Sequence, residues 1–141
     1  YIARWVYAKR HEETIEPLRL GNLSACRDWG YAQDYVRAMW LMLQQERPDD
    51  YVICTGQTHT VEEFLLKAFA AVGLKAEKVE SLPVVIDKNL FRPCEVPYLR
   101  GDASKAERQL EWQPEVAFDE LVKRMVYSDI SQMWGDAYLA G

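Results

Sequence analysis

The sequence predicts an α/β fold of mixed helices and short strands, and three observations carry that prediction. Apolar residues recur at helical spacing in several segments. Short β-branched runs closed by Gly or Pro lie between them. The connections are of ordinary length, with no repeat or low-complexity stretch to split the chain. With 141 residues, 49% of them hydrophobic, residues 1–141 read as one domain with a genuine core.

Taken in order, Tyr1 to Glu13 carries Ile2, Trp5 and Val6 at helical spacing and reads as a short helix frayed toward solvent. Leu20 stands at a strand end. From Tyr31, the positions Ala32, Tyr35, Val36, Met39, Trp40 and Leu43 predict a helix burying that stripe, with Pro48 beyond its end. Tyr51 to Cys54, closed by Gly56, reads as a strand buried on both faces. Thr60 and Glu63 have the spacing of a capping box, in which each side chain satisfies a free backbone donor of the first helical turn. The helix they open carries Phe64, Leu65, Ala68, Phe69 and Val72 and stops at Gly73. Val84 to Ile86 forms one strand among prolines, followed by an irregular loop. Asp102 caps a short helix through Leu110. After Pro114, the stripe Phe118, Leu121, Val122, Met125, Val126, Ile130 and Met133 forms a longer helix with a frayed tail after Trp134.

Composition removes several function classes. A formal net charge of -5 gives no electrostatic footprint for nucleic acid or an anionic membrane. No apolar run approaches the roughly 20 residues of a spanning helix, and the first residues lack the pattern of a signal peptide, so the chain reads as cytoplasmic. Cys26, Cys54 and Cys94 are odd in number and widely spread, which points to free thiols, and with only His11 and His59 no metal site is expected. No G-x-G-x-x-G turn and no Tyr-x-x-x-Lys pair occurs anywhere, so neither a dinucleotide turn nor that proton-transfer pair is encoded and no catalytic residue is expected.

Two clusters remain. Leu20 to Leu23 followed by Arg27, Asp28, Trp29 and Gly30 puts an arginine between a strand end and a helix entrance, where its planar donors suit a diphosphate. The same spacing also fits a loop clamp between Arg27 and Asp28 or Asp34. Arg92-Pro-Cys-Glu95 puts a cation and a carboxylate on one restricted loop, the groups a nucleotide requires at its phosphates and at its ribose or base. A solvated ion pair of little energetic weight is the other reading. Tyr51, Trp112, Met39 and Cys54 are read as core.

The segments LGNLSACRDWGYAQDYVRAMWLML (20–43), DYVICTGQTHT (50–60), RPCEV (92–96), GDASKA (101–106) and AFDELV (117–122), in that order, resemble the GDP-mannose 4,6-dehydratase family of extended short-chain dehydrogenases/reductases. Ser24 and Cys26 depart from its usual residues. The resemblance implies the sugar-nucleotide-binding part of that fold without its Rossmann half. It also implies an NADP-dependent lyase in the complete enzyme, which turns GDP-mannose into GDP-4-keto-6-deoxy-mannose and is a homo-oligomer. Positions matching the family's substrate contacts are Gly21 and Asn22 near the nucleotide, Arg27 and Arg92 at the phosphates, and Glu95 at the ribose or base. The catalytic and cofactor-binding residues would lie upstream of Tyr1, so NADP is not expected on these residues alone. The alternative is a non-catalytic domain that binds GDP-sugar or packs on a partner.

Overall fold

A computed structural model describes residues 1–135. The tail expected to fray after Trp134 lies outside them from residue 136 onward. The elements in chain order are α1 (Ile2–Arg10), β1 (Leu18–Leu20), β2 (Cys26–Arg27), α2 (Ala32–Leu43), β3 (His59–Thr60), α3 (Val61–Ala71), β4 (Val84–Ile86), α4 (Ser104–Leu110) and α5 (Phe118–Trp134). Single 3₁₀ turns flank β4 at Val79–Ser81 and Lys88–Leu90. Strands β1 and β4 pair in parallel, Leu18 to Val84 through Leu20 to Ile86, while β2 and β3 pair antiparallel.

Helix α3 begins where the spacing says it should. The Thr60 hydroxyl accepts from the Glu63 N–H at 3.0 Å and the Glu63 carboxylate accepts from the Thr60 N–H at 2.9 Å. Beyond its end, Gly73 adopts a positive φ of 86°, which terminates helices and disfavours other residues. Helices α1, α3 and α5 then close on Ala3, Ala68, Phe118, Val122, Val126 and Ile130. The expected short helix α1 is present; its Ala3 belongs to that core, with Ile2 and Val6 packed against it, and its Ala8 is also buried. Phe69 and Leu65 face the other way, onto Leu23, Val79 and Leu82. A third cluster gathers Ala38, Ala106, Leu110 and Trp112 between α2 and α4, with Tyr35, Leu41, Met42 and Tyr51 against it. Burying a side chain of the size of Phe69 or Ile130 stabilises the fold by about 1.5 to 3 kcal/mol.

Two expectations are corrected, and the corrected residues follow one another in the chain. Helix α2 forms over the expected residues, but Val36, Met39, Trp40 and Leu43 are exposed, Trp40 by 59%, and the buried side is Ala38 flanked by Tyr35, Leu41 and Met42. This helix is apolar around most of its girth, and α4 covers only one side of it. Tyr51 to Cys54 does not join a sheet: no ladder partner lies beside it among the described residues, and Val52 is 56% exposed. A β-strand exists only where a second backbone meets its donors and acceptors. Met39 is therefore not core, whereas Cys54, Tyr51 and Trp112 pack inward as expected. In α5 the buried stripe is Phe118, Leu121, Val122, Val126 and Ile130, with Met125 and Met133 at its exposed margin. Asp102 accepts from the Ser104 N–H at 2.9 Å, holding the start of α4 from one position further back than a cap residue.

Candidate functional site

Strand β1 ends at Leu20, and the chain turns at Gly21 under the 3₁₀ turn that follows β4. A Cβ on Gly21 would lie 2.6 Å from the Leu90 carbonyl oxygen, so this crossing of backbones admits only glycine. Asn22 then accepts from the Ser24 N–H at 3.0 Å and from the Ser24 hydroxyl at 2.7 Å, a local turn that carries the chain into β2. The 92–99 loop is tied to β2 through Cys26, whose N–H donates to the Pro97 carbonyl at 2.8 Å and whose carbonyl accepts from the Leu99 N–H at 3.2 Å. These ties put Gly21, Asn22, Arg27, Arg92 and Glu95 on the wall of one cleft of about 230 Å³, with Leu20, Ala25, Val61 and Leu90 as its apolar lining.

The partner of Arg27 is neither Asp28 nor Asp34, which corrects the clamp considered from spacing. Its Nη1 donates to the carbonyls of Cys26 and Val96, each at 2.7 Å, and its Nη2 donates to Glu95 Oε1. Of the five N–H donors on a guanidinium, three are thus engaged, and Nε and one Nη2 hydrogen remain for a ligand. The Arg27 and Glu95 side chains are only 22% and 21% exposed, so solvent screens their pairing weakly. Arg92 is exposed and has no ion-pair or hydrogen-bond partner among the described residues. The cleft therefore carries one committed cation, one free cation and one carboxylate.

The two aspartates of the same signature are structural. Asp28 accepts from the Thr55 N–H at 2.9 Å, the Thr55 hydroxyl at 2.6 Å and the Gly56 N–H at 2.9 Å, latching the β2 exit to the turn after Cys54. Asp34 is 95% buried and accepts from the N–H groups of Glu115 and Val116 at 3.0 and 3.1 Å. Trp112 Nε1 donates to the Asp34 carbonyl at 2.8 Å. Beside Asp28, burial pushes the Cys54 thiol up, with the Asp28 and Asp102 charges adding to it against a lowering backbone bond from Gly56. Burial also raises the Tyr35 phenol, helped by Asp28, Cys54 and Asp34.

Sequence reasoning missed a second, larger cavity of about 800 Å³, which shares Leu20 and Val61 with the cleft and is lined by Trp29, Tyr31, Phe64, Leu65, Leu121 and Met125. Trp29 in the signature is the signal that could have found it. Its ring stacks on Phe118 and meets Phe64 edge-on. Among the described residues, no three or more His, Cys, Asp and Glu side chains are grouped to hold a metal, and no helix is long and apolar enough to cross a membrane.

Comparison with known proteins decides the family. A family model described as GDP-mannose 4,6 dehydratase matches residues 2–125. This chain belongs to that family. It is 58% identical over 113 residues to GDP-mannose 4,6 dehydratase 1 of Arabidopsis thaliana, covering 80% of this chain and 30% of that relative. It is 44% identical over 139 residues to the GDP-mannose 4,6 dehydratase of Homo sapiens, covering 89% and 37%. The chain thus spans about a third of the length of the curated relatives it matches. Solved structures share the fold: RMD from Pseudomonas aeruginosa complexed with NADPH, with a TM-score of 0.73 at 20% identity, covers 94% of this chain and 41% of its own. The dTDP-glucose 4,6-dehydratase of Bacillus anthracis in complex with NAD has a TM-score of 0.67 at 20% identity, covering 94% and 40%. The α/β fold expected for a GDP-mannose 4,6-dehydratase, that of part of an extended short-chain dehydrogenase, is the fold observed.

Proposed function

We propose that the cleft around Arg27 and Arg92 holds the diphosphate of GDP-mannose in a GDP-mannose 4,6-dehydratase, with Glu95 at the ribose or base and Gly21 and Asn22 beside the nucleotide. The observation that carries this reading is convergence. Arg27 and Glu95, 68 residues apart, are in direct contact, and Gly21, Asn22 and Arg92 line the same cleft. The reaction assigned to the complete enzyme is conversion of GDP-mannose to GDP-4-keto-6-deoxy-mannose with NADP. These residues do not fit the cofactor itself. The sequence has no glycine-rich turn between a strand and a helix, and the described sheets have two strands each. We therefore assign residues 1–141 to substrate binding and no reaction step to this chain alone, so that it forms no 4-keto product from GDP-mannose and NADP.

Calorimetry with GDP tests the site. Losing one charge-assisted contact costs about 1.5 to 3 kcal/mol, so Arg92→Ala weakens binding about tenfold to a hundredfold. Arg27→Ala weakens it at least as much, because it also frees Glu95. Wild-type affinity in both variants rejects the assignment. A second reading, a non-catalytic domain packing on a partner polypeptide, is favoured by the exposed stripe of Val36, Met39, Trp40 and Leu43 and by Tyr51 to Cys54, which has no ladder partner among the described residues. Such a surface suits the cofactor-binding remainder of a family member as well as a separate chain.

A further inference from the structure

We infer that the exposed stripe of α2 is a contact between two copies of this chain, closed about a two-fold axis with the two helices antiparallel. Val36, Met39, Trp40 and Leu43 stand at i, i+3, i+4 and i+7 and so share one face of the helix. They are between 59% and 82% exposed. Ala38, on the opposite side, packs with Ala106 and Leu110 of α4. Scaled by those exposures, the four side chains present about 500 Å² per copy, a patch at the large end of what a monomeric surface shows. Two copies that bury it hide about 1,000 Å² together, the least that a specific contact needs. The exposed Gln33, Gln44, Glu46 and Arg47 around the stripe add to that area.

A second copy is the partner that this spacing fits. The intervals of the stripe read the same from either end of the helix, so it is its own complement when one copy is turned end for end. Val36 of each copy then meets the partner's Leu43, and Met39 and Trp40 of both copies gather at the axis. Turning the helices antiparallel also sets the positive N-terminus of one beside the negative C-terminus of the other. Past the end of the helix, Glu46 and Arg47 carry opposite signs, and Gln33 and Gln44 are neutral, so no like charges are pressed together. A parallel pair would instead put the like ends of both dipoles side by side. None of the residues lining the diphosphate cleft lies in α2, so this contact and that site stand or fall separately.

The test is sedimentation equilibrium of the chain between about 1 and 100 μM, with circular dichroism as the control for folding. The chain should dimerise in that range, and Trp40→Glu should weaken the dimer about thirtyfold or more, as for a buried tryptophan anchor. Val36→Lys and Leu43→Glu should each weaken it. Combined, they should bind about tenfold more tightly than Leu43→Glu alone, because the introduced charges meet across the axis. A chain that stays monomeric throughout overturns the contact and leaves the stripe to the cofactor-binding remainder or to another polypeptide. Association that Trp40→Glu leaves unchanged, or that continues without closing at two copies, overturns it as well. A combined variant no tighter than Leu43→Glu overturns the antiparallel two-fold. Calorimetry that finds no GDP binding to the wild type overturns the diphosphate site and not this contact.

Discussion

Replacing Asp28 by alanine removes the latch between the β2 exit and the turn at Thr55 and Gly56. Three donors lose their acceptor together: two backbone N–H groups at 2.9 Å and a hydroxyl at 2.6 Å. A bond to a charged acceptor is worth about 1.5 to 3 kcal/mol when buried. The latch is part-buried, so water replaces some of that, and the expected loss for Asp28→Ala is about 2 to 4 kcal/mol. Asp28→Asn keeps one acceptor oxygen and turns an amide N–H toward a backbone N–H, so it should lose about half as much. Thr55→Val removes the hydroxyl bond to Asp28 together with the hydroxyl's contacts to the Gln57 N–H and carbonyl, both at 3.2 Å, and costs about 1 to 2 kcal/mol. Because the Thr55 bond is common to both changes, the double variant should cost less than the sum of the singles by about 0.5 kcal/mol or more. Urea unfolding of the wild type and the four variants measures this directly, since the midpoint shifts at constant slope. A loss below about 0.5 kcal/mol for Asp28→Ala, the level of an ordinary surface change, would refute the latch.

Gly21→Ala places a methyl 2.6 Å from the Leu90 carbonyl, a backbone atom that cannot swing aside; stability falls by about 1 to 3 kcal/mol and GDP affinity falls with it, and an unchanged melting point with unchanged affinity would contradict the crossing. A maleimide or disulfide reagent should label exposed Cys94 first and buried Cys54 only as the chain opens, since burial both shields that thiol and raises its pKa; equal labelling rates, read by mass spectrometry, would count against this. The Cys54, Tyr1 and Tyr35 acids are all raised by burial above their ordinary values of 9.0 for the thiol and 10.0 for the phenols. Each is held neutral in the folded chain, so its contribution is fully present below the unfolded pKa and is lost as pH rises through the folded one. Stability should therefore decline from about pH 9 upward, and Tyr35→Phe should flatten that decline in thermal melts taken across the range.

What was legible in the sequence was local, and what was not depended on distant backbone. The Thr60 and Glu63 cap joins residues three apart and could be read directly, as could the extent of α2, because helical hydrogen bonds close within the segment. The face that α2 buries is decided by what lies opposite it, and with Leu41 and Met42 as apolar as Met39 and Trp40 the pattern alone admitted either side. Tyr51 to Cys54 shows the same limit more sharply, since a strand-like composition cannot bring its own partner. The site follows this division. Spacing offered Arg27 two near aspartates, but Asp28 is taken by the N–H groups at 55 and 56 and Asp34 by those at 115 and 116. Among the described residues, the only carboxylate bonded to Arg27 comes from 68 residues away. In the run from Arg27 to Asp34, then, one residue faces the cleft and the two acids, with Trp29 stacked on Phe118, hold the surrounding loops. That run is thus mostly scaffold, and Arg27 is its one residue on the wall of the cleft.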